Sequence, residues 1–150
     1  MKSLTLFVLL NVLLNQSTAG PAAEALDIQK YSEYSGNYLL IDLDGREPLR
    51  APTLSLSCGI NWDRKVGIAC YMDFYFINLI SGRFVLKDGQ WSVVGRIRST
   101  GMIYKGPNWR QLMKLEYEAE NIFRNVVKIE KKGQEIKFRT KNGDQLKFVR

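Results

Sequence analysis

The chain is 150 residues long and has 22 Lys and Arg residues against 15 Asp and Glu residues, for a formal net charge of +7. That length fits one domain of ordinary size. The absence of histidine and the presence of only two cysteines exclude Ser-His-Asp and Cys-His nucleophile systems, histidine metal ligands and a four-thiolate zinc site. The chain also lacks a P-loop, G-x-G-x-x-G, G-x-S-x-G and a calcium loop. We therefore predict a protein that is not an enzyme and binds no metal or cofactor.

Residues 1–19 have the pattern of an export signal. Lys2 precedes an apolar run over residues 4–14, and small residues lead up to a cut after Ala19. The apolar run is shorter than the ~20 residues that cross a bilayer. We predict cleavage after Ala19 and a periplasmic or secreted protein without a transmembrane segment. The alternative is an uncleaved anchor.

The rest of the chain divides into a small, polar lead-in, residues 20–36, and a single domain, residues 37–150. Apolar and polar residues alternate through most of this domain, which is typical of antiparallel strands with one buried face. Asp88-Gly89, Lys132-Gly133 and Asn142-Gly143 are the predicted hairpin turns. The predicted strands are 37–43, 53–58, 66–77, 83–87, 90–94, 126–130, 135–140 and 145–149.

One helix is predicted over residues 108–123, where the period of the pattern changes. Apolar residues recur there at three- and four-residue steps, at Leu112, Leu115, Ala119, Ile122 and Phe123. Asn108 is the expected N-cap, with Gln111 as its capping-box partner. Acidic residues alternate along the same helix and are expected to be solvated, namely Glu116, Glu118 and Glu120. Neither these nor Asp42, Asp44 and Asp73 have a spacing specific to acid–base catalysis.

The two cysteines fit a hairpin. If the connecting loop centres on Arg64, Cys58 lies opposite Cys70. The same register pairs apolar residues on one face, Leu56 with Met72 and Leu54 with Phe74. In an oxidising compartment we expect a disulfide. The alternative is a pair of buried thiols, and nothing here resembles a C-x-x-C redox motif.

The order of motifs has a counterpart in a known family. Leu43-Asp44-Gly45 is followed by a strand at 53–56 and by Val66-Gly67-Ile68-Ala69-Cys70. Residues 95–102 then read Gly-Arg-Ile-Arg-Ser-Thr-Gly-Met, with Ser99, Thr100 and Met102 as the motif positions, and the helix and two closing strands follow. From residue 38 to residue 150 the chain resembles the META domain, or HslJ-like, family, whose motif is Ile-x-Ser-Thr-Arg-Met-Ala-Cys.

The chain departs from the family pattern at three positions. Tyr71, Gly101 and Tyr104 stand where the family has Asn, Arg and Cys. Cys70 thus lacks the partner that the family's second cysteine would supply, and Cys58 is its expected replacement. Strand three is also longer than usual before a predicted turn at Ser81-Gly82.

The resemblance implies an α+β fold, a mostly antiparallel, compact and partly open barrel-like sheet with one packed helix. It also implies a small envelope or secreted protein linked to stress responses or virulence, with no settled activity. Fold follows from such a match more firmly than function does. Ser99 and Thr100 are read as turn or capping residues, because a nucleophile needs a base and the chain has no histidine.

Two sets of residues are candidates for binding. Outward-facing Lys128, Lys137, Arg139 and Lys147 predict contact with an anionic surface or an acidic protein, and the alternative is the solvated side of a sheet. The aromatic residues Phe74, Phe76 and Trp91 predict a ligand groove, and the alternative is ordinary core.

These patterns lead to one preferred function and one alternative. The preferred function is that of a monomeric, non-catalytic, exported protein of the META/HslJ-like type. It would serve envelope stress or virulence by binding a protein or an anionic envelope surface, and not nucleic acid. The alternative is a β-cup that binds a small apolar ligand.

Overall fold

The computed structural model describes residues 28–61 and 67–150. The predicted signal segment, residues 20–27 of the lead-in and the loop centre at Arg64 lie outside these residues. The long helix spans Trp109–Arg124, and residues 28–32 are also helical. The strands are β1 Gly36–Leu43, β2 Thr53–Ile60, β3 Ile68–Tyr75, β4 Leu79–Lys87, β5 Gln90–Val93, β6 Arg98–Ser99, β7 Val126–Lys132, β8 Glu135–Thr140 and β9 Gln145–Val149.

All described strands form one antiparallel sheet that is curled into a nearly closed barrel. Its order is β5-β4-β3-β2-β1-β9-β8-β7, and β6 adds to β4 outside this path. The two end strands, β5 and β7, lie side by side across an unsealed seam. The predicted fold class, a partly open antiparallel barrel with one packed helix, is confirmed.

The core of the barrel is a cluster of aromatic rings centred on the long helix. The Phe123 ring lies 5.3 Å from that of Phe74, 5.4 Å from that of Phe138, and 6.3 Å from those of Phe84 and Phe148, between centroids. All five side chains are fully buried. The predicted apolar face of the helix covers this cluster. A sheet with one apolar face must bury that face against another element.

The hairpin of β2 and β3 has the predicted register. Cys58 lies opposite Cys70 with their Cα atoms 4.0 Å apart, and the two residues are joined by a disulfide. The neighbouring pairs are Leu56 with Met72 and Leu54 with Phe74. All of these side chains are buried, so the residues that align the cysteines also form the core of the hairpin.

The turn predicted at Ser81-Gly82 is wrong. Both residues lie inside β4, where Ser81 pairs with Asp73 and Gly82 with Met72. The glycine is needed for packing, since a Cβ at this position would overlap the Cδ1 atom of Ile97. The true turn follows Tyr75, which is why β3 ends two residues earlier than predicted.

The other predicted hairpins are present with small shifts. Asp88 and Gly89 have φ angles of 52° and 76°, as a tight β4–β5 turn requires. Lys132 still pairs with Glu135, so that turn is made by residues 133–134 and not by Lys132-Gly133. The inward residues of the closing strands are fully buried as predicted, namely Ile136, Phe138, Leu146 and Phe148.

The start of the long helix differs from the predicted capping box. Asn108 occupies the N-cap position, but it has φ 58° and ψ 22° and makes no side-chain capping hydrogen bond. A side-chain cap normally needs an N-cap residue in the β region. The left-handed backbone of Asn108 replaces that geometry, and its carbonyl accepts the hydrogen bond of the Leu112 N–H.

Candidate functional site

Cations cover the outer side of the three closing strands. We call this surface the basic face, and its cations are Lys128, Lys132, Lys137, Arg139 and Lys147. The register places Lys128 opposite Arg139 and Lys137 opposite Lys147. The structure therefore brings together all four cations that the alternation pattern selected. Like charges in directly opposed positions destabilise a sheet, so this arrangement needs compensation.

Two carboxylates supply part of that compensation. The Glu130 carboxylate lies 2.8 Å from Lys128 Nζ and 3.8 Å from Arg139 Nη1. The Glu135 carboxylate lies 2.8 Å from Lys147 Nζ. With five cations and these two anions, the basic face keeps a surplus charge of +3.

The same contacts keep both carboxylates ionised. A hydrogen bond from Lys128 is the main cause that lowers the pKa of Glu130, and the Lys147 hydrogen bond does the same for the pKa of Glu135. A shallow groove of about 160 Å³ runs between β7 and β8 past both carboxylates. The backbones of the adjacent strands that carry these cations lie about 5 Å apart.

The three candidate groove residues have different surroundings in the described part of the chain. Phe74 is fully buried, with its ring centroid 5.9 Å from that of Phe148. Trp91 is 3% exposed and makes an edge contact with Tyr31, beside the start of the described chain. Phe76 is half-buried and packs on Phe74. Phe74 and Trp91 thus serve as packing residues at separate places in the core.

Glu116 corrects the prediction that the helix acids are solvated, because it is only 4% exposed. Its Oε2 atom accepts hydrogen bonds from the Ile77 N–H at 2.8 Å and the Asn78 N–H at 2.6 Å. Its Oε1 atom accepts one from Asn78 Nδ2 at 2.5 Å. The carboxylate is stable inside because three donors replace its water.

Asn78 extends this network to Thr100 and Met102. Its Oδ1 atom accepts hydrogen bonds from the Thr100 hydroxyl at 2.8 Å and the Met102 N–H at 2.5 Å. Its Nδ2 atom also donates to the Met102 carbonyl at 3.1 Å. We call Glu116, Asn78 and Thr100 the polar clasp. The clasp joins the long helix, the β3–β4 turn and the segment after β6, which gives Thr100 and the Met102 backbone a structural role. Ser99 is exposed at the end of β6.

Sequence reasoning did not identify Asn78, because nothing near it in the chain marks it as buried. A lone asparagine after an aromatic strand is typical of a turn residue. Its partners lie 22, 24 and 38 residues away. Only the tertiary structure brings them to one place.

The remaining carboxylates have separate surroundings. Asp73 accepts a hydrogen bond from the Ser81 hydroxyl at 2.6 Å, and Asp44 lies in a turn with φ 49°. One oxygen of Asp42 is buried and has no hydrogen-bond partner. Residues 28–61 and 67–150 contain no cluster of three or more His, Cys, Asp or Glu side chains that could hold a metal ion.

None of the helices in the described part of the chain is both long and apolar enough to cross a bilayer.

Comparisons with known proteins support the fold and go no further. No protein-family model and no curated protein matches the chain. One solved structure, determined by NMR, is 14% identical to this chain and has a TM-score of 0.55. The matched region spans 81% of this chain and 92% of the chain in that structure. The NMR structure of a protein from Burkholderia xenovorans is 21% identical, covers 87% of this chain and 88% of its own, and has a TM-score of 0.51. At identities this low, the likeness shows a shared fold alone.

Proposed function

We propose that the chain is a non-catalytic exported protein that acts by binding an anionic partner through the basic face. In this proposal it is a META/HslJ-like protein of the envelope or the extracellular space, and serves stress resistance or virulence. The supporting observation is the surplus of +3 on the outer side of β7, β8 and β9. Clustered cations attract and orient anionic partners over the range of the Debye length.

The arrangement favours a binding function over simple solvation for one reason. A solvated sheet face can place acids opposite its cations, which stabilises cross-strand pairs. Acids do stand opposite three of these cations, with Glu130 facing Lys137, Glu135 facing Lys132 and Asp42 facing Lys147. Two pairs of cations nevertheless remain directly opposed, Lys137 with Lys147 and Lys128 with Arg139. An anionic group bound between opposed cations would relieve their repulsion.

The export part of the proposal has its own support. The Cys58–Cys70 disulfide is compatible with an oxidising compartment. The alternative function, a β-cup for a small apolar ligand, has weaker support, because the interior is occupied by the rings around Phe123.

The test is elution from an immobilised polyanion, dextran sulfate, in a salt gradient. The triple variant Lys137→Gln, Arg139→Gln, Lys147→Gln should elute at clearly lower salt than the wild type, because fewer counterions are exchanged. The matched control removes the same charge from the β4–β5 side through Lys87→Gln, Arg96→Gln and Arg98→Gln, all at exposed positions. Equal shifts for both variants would show that only net charge matters and would contradict the proposal.

A further inference from the structure

A second surface of the molecule exposes large apolar side chains. Met102 is 59% exposed, Ile103 72%, Trp109 41% and Tyr117 72%. They lie in the extended segment after β6 and on the outer side of the long helix. Exposed aliphatic and aromatic residues close together in one segment mark interaction sites more often than scattered ones do.

The polar clasp fixes the backbone at the start of this surface, at Met102. Asn78 bonds both the N–H and the carbonyl of Met102, so the backbone is fixed while the side chains of Met102 and Ile103 remain exposed. Beyond them, the Tyr104 ring folds against Gly106, where a Cβ would overlap it. The Arg50 guanidinium lies 5.0 Å from the centre of the same ring and donates to its hydroxyl. These contacts therefore hold the backbone around the exposed pair, Met102 and Ile103, in place.

The long helix continues the apolar surface. Trp109, Met113 and Tyr117 recur every four residues, so they form one stripe along the helix. Trp109 and Tyr117 are exposed and Met113 is half-buried. The face buried against the barrel lies elsewhere on the helix, at Leu112, Glu116, Ala119, Ile122 and Phe123.

The part of this surface from residue 100 to residue 115 carries charge of one sign, and the next acid on the exposed side of the helix, Glu118, is paired with Arg46. Between residues 100 and 115 the chain has three cations, Lys105, Arg110 and Lys114, and no acid. The first turn of the helix contains no acidic residue, although the helix dipole favours acids at that end. Arg110 and Lys114 are exposed. Cations near the N-terminus of the long helix interact unfavourably with the helix dipole and lower the local stability. An anionic group bound to these cations would offset that loss.

We propose that this surface, which we call the apolar tip, docks on an anionic phospholipid bilayer. Met102 and Ile103 enter the boundary between headgroups and acyl chains. Trp109 and Tyr104 lie at headgroup level, where aromatic side chains are favoured. Lys105, Arg110 and Lys114 contact the phosphates, each adding an attraction that depends on anionic lipid.

A lipid surface fits the apolar tip better than an acidic protein does. Exposed aliphatic side chains beside cations on a helix are typical of interfacial membrane binding. The basic face is different, since its cations alternate with Glu130 and Glu135. The inference does not rest on the basic face, and either surface can fail its test without the other.

The test is co-sedimentation of the purified chain, without the predicted signal segment of residues 1–19, with two kinds of vesicle. One kind is pure phosphatidylcholine, and the other contains equal parts of phosphatidylcholine and phosphatidylglycerol. The wild type should bind the anionic vesicles. The variant Met102→Ser, Ile103→Ser should lose about tenfold or more of its partition coefficient, because two apolar side chains no longer enter the lipid. The variant Lys105→Gln, Arg110→Gln, Lys114→Gln should lose its preference for phosphatidylglycerol.

Two matched controls locate the contact. Leu39→Ser with Ile41→Ser removes another exposed apolar pair, from β1. The triple variant Lys87→Gln, Arg96→Gln, Arg98→Gln removes three exposed cations that belong to neither the basic face nor the apolar tip. Both should bind like the wild type. The proposal is overturned if the Met102, Ile103 variant binds as tightly as the wild type. It is also overturned if no variant or wild type binds vesicles, which would leave a protein as the occupant of the tip.

Discussion

The basic face and the apolar tip are both cationic, but they rest on different foundations. The basic face is the outer side of strands whose inner side is mainly aromatic and aliphatic core, including Phe138 and Phe148. The apolar tip rests on the polar clasp of Glu116, Asn78 and Thr100. The comparison teaches that the alternation of side chains along the strands is enough to form the basic face. The apolar tip depends instead on a few hydrogen bonds between segments far apart in the chain. The two surfaces should therefore fail under different substitutions.

The largest expected effect is on the shared core. Phe123→Ala should lower the free energy of unfolding by about 3–5 kcal/mol, because the cavity lies among four other phenylalanine rings. Denaturant titration followed by circular dichroism measures this. A loss below about 1 kcal/mol would mean that the helix does not hold the barrel together.

Removing the disulfide should cost less and should affect neither surface. Cys58→Ala with Cys70→Ala opens a crosslink between residues 12 apart, for which the chain-entropy estimate is about 3 kcal/mol at most. Thermal unfolding measures the loss. Polyanion elution and vesicle binding, measured well below the midpoint, should match the wild type. A change in either would show that the β2–β3 hairpin supports that surface.

A substitution in the polar clasp should affect the apolar tip and leave the basic face unchanged. Glu116→Gln places an amide group against the donors of residues 77 and 78 and should cost about 1–3 kcal/mol. Amide hydrogen exchange should speed up in residues 98–104 and stay unchanged in β7–β9. The matched control is Glu118→Gln on the same helix, whose partly exposed pair with Arg46 is worth well under 1 kcal/mol. Equal rates of amide exchange in residues 98–104 of both variants would contradict the stabilising role of the polar clasp.

The smallest effect on stability, and a clear one on binding, is expected at the acids of the basic face. Glu130→Gln with Glu135→Gln removes both anions and should raise the salt needed for elution from dextran sulfate. In the wild type the same rise should appear as the pH falls below the usual glutamate range, because the pKa values of both groups are lowered. The stability these pairs add is present above that range and is lost on the same descent. The double variant should show no such rise with acid.

The sequence predicts the closing strands and the basic face well because their information is local. Alternation fixes which of Ile136, Lys137, Phe138 and Arg139 point inward, and glycine turns fix where the strands reverse. The register around Cys58 follows for the same reason. These features depend on residues within a few positions of one another.

The polar clasp and the full length of β4 could not be predicted in this way. Gly82 looks like a turn residue until Ile97 is known to pack against it. Glu116 looks solvated until the β3–β4 turn supplies its donors. Each depends on a contact between segments far apart in the chain, for which the pattern along one strand or helix contains no signal.

The most direct test of the proposed binding face is an NMR titration of the isotope-labelled chain with soluble dextran sulfate. The account predicts that the backbone amide signals of β7, β8 and β9 shift together, most strongly around Lys137 and Lys147, and return when salt is added. Shifts confined to residues outside these strands, or absent altogether at low salt, would contradict it.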